Sequence, residues 1–271
     1  MPKNPFKPAS GDKLLARVCL VSTFLLATAF LSTLVAVIVK SDTSLPEAWL
    51  LLFATASTLA TLARQLPAQN VLLAALITAL IGGVAHIFGA KAGIPFGPIM
   101  FGSEAGLKLF GTLPWIMPLL WVVIILNSRG VARLVLRPWR KMRAYGFWLI
   151  GLTALFTMLF DCALEPFATH MKHYWIWMAG GFSLTPQGAP IANSAGWIIV
   201  TLLILAFATP TLINKQLSKR SVPDFHPLGV WLGGVLLFGV ASAARGFWPV
   251  AATDAVIGIV TAGFAIRGAR W

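Results

Sequence analysis

The sequence predicts an all-α polytopic membrane protein: a bundle of about eight transmembrane helices with irregular glycine-rich loops on the outer side. Two features of the chain point there. Of its 271 residues, 58% are hydrophobic and only 11% are charged. Uncharged apolar runs of about 20 residues recur along it, the length a helix needs to cross hydrocarbon, while the short alternating segments of a β-barrel are absent. The length suits one integral membrane domain, 1–271, with no soluble insertion and no internal repeat of the kind transporter halves carry. The net charge of +13 then points to anionic lipid as partner and excludes nucleic acid, which needs a basic soluble surface. Cys19 and Cys162 lie in apolar runs without a spacing pattern, so neither a disulfide framework nor a metal cluster is expected.

Residues 1–13 are polar and Pro/Lys-bearing, a cytoplasmic tail; the apolar run Leu14 to Val39 is too long for a signal-peptide core and reads as an uncleaved first span. The second span runs from Glu47 to Ala63 and ends at Arg64 and Pro67. The third, Asn70 to about Ala90, contains Gly82, Gly83 and His86, and leads into a loop with glycines at 93, 97 and 102. The fourth, about Leu113 to Asn127, continues into a basic segment, 128–143, where Arg129, Arg133 and Arg137 share one helical face expected among lipid head groups. The fifth is Ala144 to about Leu164, the sixth about Ala195 to Ile213, the seventh His226 to about Ala244, and the eighth about Pro249 to Ile266.

Eight spans place both termini on one side. Sixteen of the 21 Lys and Arg then fall on the terminus side, leaving Lys40, Lys91, Lys108, Lys172 and Arg245 opposite. That bias makes the terminus side cytoplasmic, in a bacterial inner membrane. The acids distribute the other way: Asp42, Glu47, Glu104, Asp161, Glu165 and Asp254 fall at or near the outer side, with His86. Two stretches distant in sequence, 86–111 and 161–197, therefore converge on one face, and the loops 91–112 and 165–194 are expected to form the site.

Ionisable groups at membrane depth are expensive and usually mark function. Asp161 and Glu165 are four apart and share a helical face. A carboxyl group that holds its proton is what acid catalysis on an unactivated alkene requires. The plain alternative for Asp161 is a helix-packing hydrogen bond, and Glu165, which precedes Pro166, can instead end the helix at the water boundary. His86 is either a packing histidine or a member of the same site. Tyr174, Trp175 and Trp177 suit an interfacial aromatic belt, the lining of a polyene tunnel, or a cation shield. Gly180, Gly181, Gly188, Pro190, Asn193 and Gly196 describe irregular backbone that folds against protein or lies as a surface loop. Asp254 is expected to pair with Arg245. His170 and His173 lack further ligands, so no metal is expected, and no nucleotide motif or mid-span lysine implies a cofactor.

Asp161, Pro166, Tyr174-Trp175-x-Trp177, Gly180, Gly188-x-Pro190, Asn193 and Gly196-Trp197 together resemble the signature of the CruF-like carotenoid biosynthesis proteins, as do Gly93-x-Pro95-Phe96-Gly97, Gly111, Pro114 and Trp121 in the first loop. The resemblance covers roughly residues 80–200. It departs from the family pattern at His86, where the family often has an acid, at Ile99 and Phe101, near which the family tends to have tyrosines, and in a longer tip at 182–187. These proteins are membrane carotenoid 1',2'-hydratases and bisanhydrobacterioruberin hydratases. The resemblance implies acid-initiated addition of water to the terminal C1=C2 bond of a linear carotenoid. Asp161 would be the acid, Glu165 or His86 would share the proton or orient water, and Asn193 would hold that water. Trp175, Trp177, Tyr174, Trp197, Phe96 and Trp121 would line the substrate. It implies no cofactor, a carotenoid or other polyene lipid as substrate, and other carotenoid-pathway enzymes as partners. Cyclisation or isomerisation of a polyene would use the same residues; a non-enzymatic transporter or lipid-binding bundle would instead show a continuous polar path.

Overall fold

In the computed structural model, which describes residues 10–41, 43–178, 189–213 and 222–271, eight helices are long and apolar enough to cross a membrane. They are α1 (Ser10–Ile38), α2 (Ser44–Ala63), α3 (Ala68–Ala92), α4 (Met117–Val135), α5 (Tyr145–Pro166), α6 (Ile191–Ala208), α7 (His226–Ala244) and α8 (Trp248–Ala269). The protein is an all-α integral membrane protein. Gly180, Gly181, Gly188, the tip 182–187, Asp42 and the basic residues Lys215, Lys219 and Arg220 lie outside the described residues.

α4 is the hub. Two thirds of its apolar window (67%) is buried, against 17% in α1 and α8, and it packs on α2, α3, α5, α7 and α8. The peripheral helices turn Phe24, Ile259 and Phe264 outward, as a bundle solvated by lipid should. Small residues set the close approaches: Gly82 of α3 lies against the Trp121 ring of α4, and Gly234 of α7 against the Phe160 ring of α5. Several buried threonines return their hydroxyls to their own helix, as Thr78 does to Ala74 O and Thr201 to Trp197 O, so these two carry no unpaired donor into the apolar interior.

Three boundaries differ from those expected, each for a local reason. The fourth span starts at Met117 and runs on to Val135, so Arg129 sits inside the bundle. It is 7% exposed and donates through Nη2 to Leu212 O at 3.0 Å, instead of joining Arg133 among head groups. Its guanidinium satisfies the carbonyl of Leu212, at the end of the 3-10 turn Thr209–Leu212 that follows α6. Pro166 does not end the fifth span. The chain widens after it into a π turn, Phe167–Met171, closed by Lys172 N donating to Phe167 O, so Glu165 stays helical and the segment is helical well past 165. The sixth span begins at Ile191, which places Asn193 on a helix and not in the loop.

The loops contain strand structure that the sequence pattern did not announce. β1 (Ile99–Phe101) pairs antiparallel with β4 (Trp175–Trp177), with Ile99 opposite Trp177 and Phe101 opposite Trp175. Gly102 N donates to Tyr174 O and Met178 N to Pro98 O, extending the ladder at both ends. A second pair, β2 (Lys108–Leu109) and β3 (Leu113–Pro114), forms a small hairpin. Backbone near hydrocarbon needs partners for every N–H and C=O, and these ladders supply them. They also join the α3–α4 loop to the α5–α6 loop, the two stretches expected to converge.

Candidate functional site

The β1–β4 ladder fixes the first half of the site. Residues two apart on a strand face the same way, so Trp175 and Trp177 present both indoles to one side. That side holds Glu165. Trp175 Nε1 donates to it, 3.2 Å from Oε1 and 3.3 Å from Oε2, and the Trp177 indole N–H donates to Oε1. One turn earlier on α5, Asp161 is 1% exposed; its Oδ2 accepts from Asn193 Nδ2 at 2.7 Å, and its Oδ1 meets no partner among the described residues. Asp161 with Asn193, and Glu165 with Trp175 and Trp177, thus form two hydrogen-bonded sets anchored one turn apart on α5.

His86 belongs to a neighbouring aromatic box. Its ring stacks on Phe96 (centroids 4.5 Å apart, planes at 13°), with Phe101, Trp121 and Trp197 at 6.0, 5.8 and 5.9 Å. Trp121 and Trp197 stack on each other at 4.1 Å. Neither ring nitrogen of His86 finds a hydrogen-bond partner among the described residues, and no hydrogen bond joins it to Asp161. Phe96, Trp121 and Trp197 are 0%, 0% and 1% exposed, so they pack this box instead of lining an open space. The box and the carboxyl group share supports: Trp197 follows Asn193 by one turn of α6, and Phe101 meets Trp175 edge to face across the ladder. Gly196 lets α6 close on this region, because a side chain there would run into the Phe96 ring and the Pro95 carbonyl.

A cavity of about 550 Å³ runs between α1, α2, α4, α5 and α7. Its walls are apolar, with Phe30, Leu51, Leu120, Phe160, Leu164 and Phe238 among them, and its loop end carries Glu47, Glu104, Tyr174 and Trp175. Of the expected substrate-binding residues, only Tyr174 and Trp175 face it. Asp161 and Glu165 adjoin the lining residues Phe160 and Leu164 in sequence but do not line the cavity; Glu165 stands behind Trp175, and Asp161 is held by Asn193.

In the sequence Glu47 marks the start of the second span and is one of the acids at the outer side, with no site role expected. It is the centre of a polar cluster at the cavity's loop end. Tyr174 donates its hydroxyl to Glu47 Oε2, Thr43 donates to Oε1, and Lys172 Nζ lies 3.4 Å from Oε1 and donates to Thr43 Oγ1 at 2.6 Å. The available signal was an acid in the first turn of a membrane helix, four residues after a threonine. Asp254 is buried on α8 against Gly239, and no ion pair joins it to Arg245, which is exposed. The short connection between α7 and α8 leaves Arg245 in the solvent-facing turn while Asp254 lies more than a helical turn inside α8. His173 bonds to Thr169 O and His170 stacks on Phe247, so each is accounted for by local packing.

Fold and site define an integral membrane protein built around an apolar chamber, with carboxyl groups and indoles gathered at one end. Such a chamber suits a long hydrocarbon ligand taken from the bilayer. The chain belongs to the carotenoid biosynthesis protein family, which it matches over residues 47–261. It is also similar to the bisanhydrobacterioruberin hydratase of Haloarcula japonica, at 29% identity over 126 residues, 45% of this chain and 40% of that protein. The chain thus spans less than half the length of that curated relative. No solved structure matches it.

Proposed function

We propose that this protein is a carotenoid hydratase that adds water to the terminal C1=C2 bond of a linear carotenoid end group. The observation that carries this reading is the apolar cavity of about 550 Å³ whose loop end gathers Glu47, Tyr174 and Trp175, with Glu165 behind Trp175. The hydratase named above supports it. An acyclic end group enters from the bilayer and lies with its last isoprene near Trp175. A proton from the Asp161–Glu165 pair forms a C–H bond at C2 with the π electrons of the alkene, leaving a tertiary cation at C1. Trp175 stands between Glu165 and the cavity, so its side chain turns aside for the proton to pass. The ring faces of Tyr174 and Trp175 favour the cation. Water held by Glu47 and Tyr174 forms the C–O bond, and its surplus proton passes to Glu47. Exchange with water then returns this proton from Glu47 to the Asp161–Glu165 pair, so the sum is alkene plus water giving tertiary alcohol, with no redox change. In this reading Asn193 orients Asp161, and His86 keeps the aromatic box packed. The protein sits in a bacterial inner membrane with both termini cytoplasmic, the orientation favoured by the Lys and Arg bias.

The test is expression in a host that accumulates acyclic carotenoids, with pigments resolved by chromatography and mass. A product heavier by one water supports hydration. A product of unchanged mass and altered absorption identifies cyclisation or isomerisation instead, and unchanged pigments refute an enzymatic role on that substrate.

A further inference from the structure

The far end of the cavity is also polar. Thr23 of α1 and His226 at the start of α7 both face it. Behind them Ser57 of α2, 0% exposed, bridges the two, with its Oγ 2.5 Å from His226 Nε2 and 3.1 Å from Thr23 Oγ1. His226 Nδ1 is buried without a hydrogen-bond partner among the described residues. Hydroxyls and an imidazole in an apolar chamber cost free energy wherever a donor or acceptor goes unused. The chain of contacts continues outward: Asp224 Oδ1 accepts from His226 N, Asp224 Oδ2 from Gln65 Nε2 at 2.6 Å, and Gln65 Oε1 from Arg133. His226 is thus held in place from the far side.

The two polar ends differ in kind. The loop end has a carboxylate paired with Lys172, whereas the described residues of this end, Thr23, Ser57 and His226, are groups able both to donate and to accept. An anionic head group here would meet Asp224, and Arg133 lies a layer further out, behind Gln65. A hydroxyl suits the set. Glu47 and Ser57 lie on the same helix, ten residues apart, which separates the two ends by roughly 15 Å.

Resting on the reading of the cavity as the substrate chamber, we propose that Thr23, Ser57 and His226 form a second subsite, which hydrogen-bonds a hydroxyl group carried on the isoprenoid chain roughly 15 Å from the reacting double bond. The enzyme then selects chains already oxygenated at that position, and an earlier oxygen-inserting or water-adding reaction must supply them.

The test uses full-length protein in lipid nanodiscs, with geranylgeraniol and the matching hydrocarbon that lacks its hydroxyl as probes, and binding read from the concentration dependence of the unfolding midpoint. Wild type should bind the alcohol about threefold to tenfold more tightly than the hydrocarbon, the worth of one net hydrogen bond. In Thr23→Val and in Ser57→Ala that preference should vanish while hydrocarbon affinity stays unchanged; a merely structural role would weaken both ligands together. Equal affinities in wild type, a preference that survives both substitutions, or a parallel loss of both ligands overturns the subsite and leaves the chamber reading standing. Binding of neither probe to wild type overturns the chamber reading and the subsite with it.

Discussion

Replacing Asp161 by Asn separates the chemistry of the carboxyl from its packing. In the native protein Asn193 Nδ2 donates to Asp161 Oδ2, and Asp161 is 1% exposed. An asparagine at 161 can turn its amide oxygen toward Asn193 and keep that bond. The expected loss in stability is about 1 kcal/mol or less, within the range of one ordinary hydrogen bond. The transferable proton is gone, however, and removing a positioned general acid costs typically about a hundredfold to ten-thousandfold in rate. Asp161→Ala is the companion variant: it removes the bond as well and leaves the Asn193 amide buried without its acceptor, at about 1–3 kcal/mol. Both are expressed in the pigment-producing host, protein is quantified in purified membranes, and product is measured per mole of protein. The reasoning predicts a wild-type level of folded Asp161→Asn with product down at least ~100-fold, and a lower unfolding midpoint for Asp161→Ala alone. Near-normal product from well-expressed Asp161→Asn refutes Asp161 as the acid and returns it to helix packing.

Three further outcomes are expected. Tyr174→Phe and Glu47→Gln should each lower turnover by about tenfold or more while bound carotenoid is retained, because they remove partners of the attacking water and not the chamber; loss of carotenoid binding in step with turnover would contradict this. Trp177→Phe takes one indole N–H from Glu165 and should lower stability by about 1–3 kcal/mol, read as a fall in unfolding midpoint; an unchanged midpoint argues against the bond. Reporter fusions after Arg143 and after Pro190 should lie on opposite sides of the membrane, and finding both on one side would sink the cytoplasmic placement of the termini.

The helices were legible because a hydrocarbon solvent leaves so few options: long uncharged runs must be helical, and α7 begins and ends where the apolar run does. The convergence of 86–111 with 161–197 was legible for the same reason, since alternating spans put both stretches at one end. What the pattern concealed was how they meet. A three-residue strand such as Trp175–Trp177 carries too little periodicity to separate it from an interfacial loop, and its partner, Ile99–Phe101, lies more than seventy positions away. Glu47 was hidden by the opposite effect. An acid at the start of a span is common enough at the membrane boundary to pass as ordinary, and only the fold brings Tyr174 and Lys172 to it. Arg129 misled because spacing alone cannot tell a solvated basic face from one guanidinium drawn inward to a helix end.

His86 shows how the two levels combine. Its position among the outer-end ionisable groups suggested a role beside Asp161, and the fold does bring it to the same end of the bundle. Yet its contacts are Phe96, Phe101, Trp121 and Trp197, with no polar partner among the described residues. Two of those rings stand beside the residues that donate to the carboxyl groups: Phe101 faces Trp175, the donor to Glu165, across the ladder, and Trp197 follows Asn193, the donor to Asp161, on α6. A residue that packs such a box acts on the site by holding the ladder and α6 in register, not by moving a proton. His86→Phe keeps a flat ring in the stack, so it should preserve product, whereas His86→Ala opens a hole beneath the ladder and should lower stability and product together. If the imidazole instead shared the proton with Asp161, His86→Phe would fall as far as Asp161→Asn, and the double variant would lose no more than either alone.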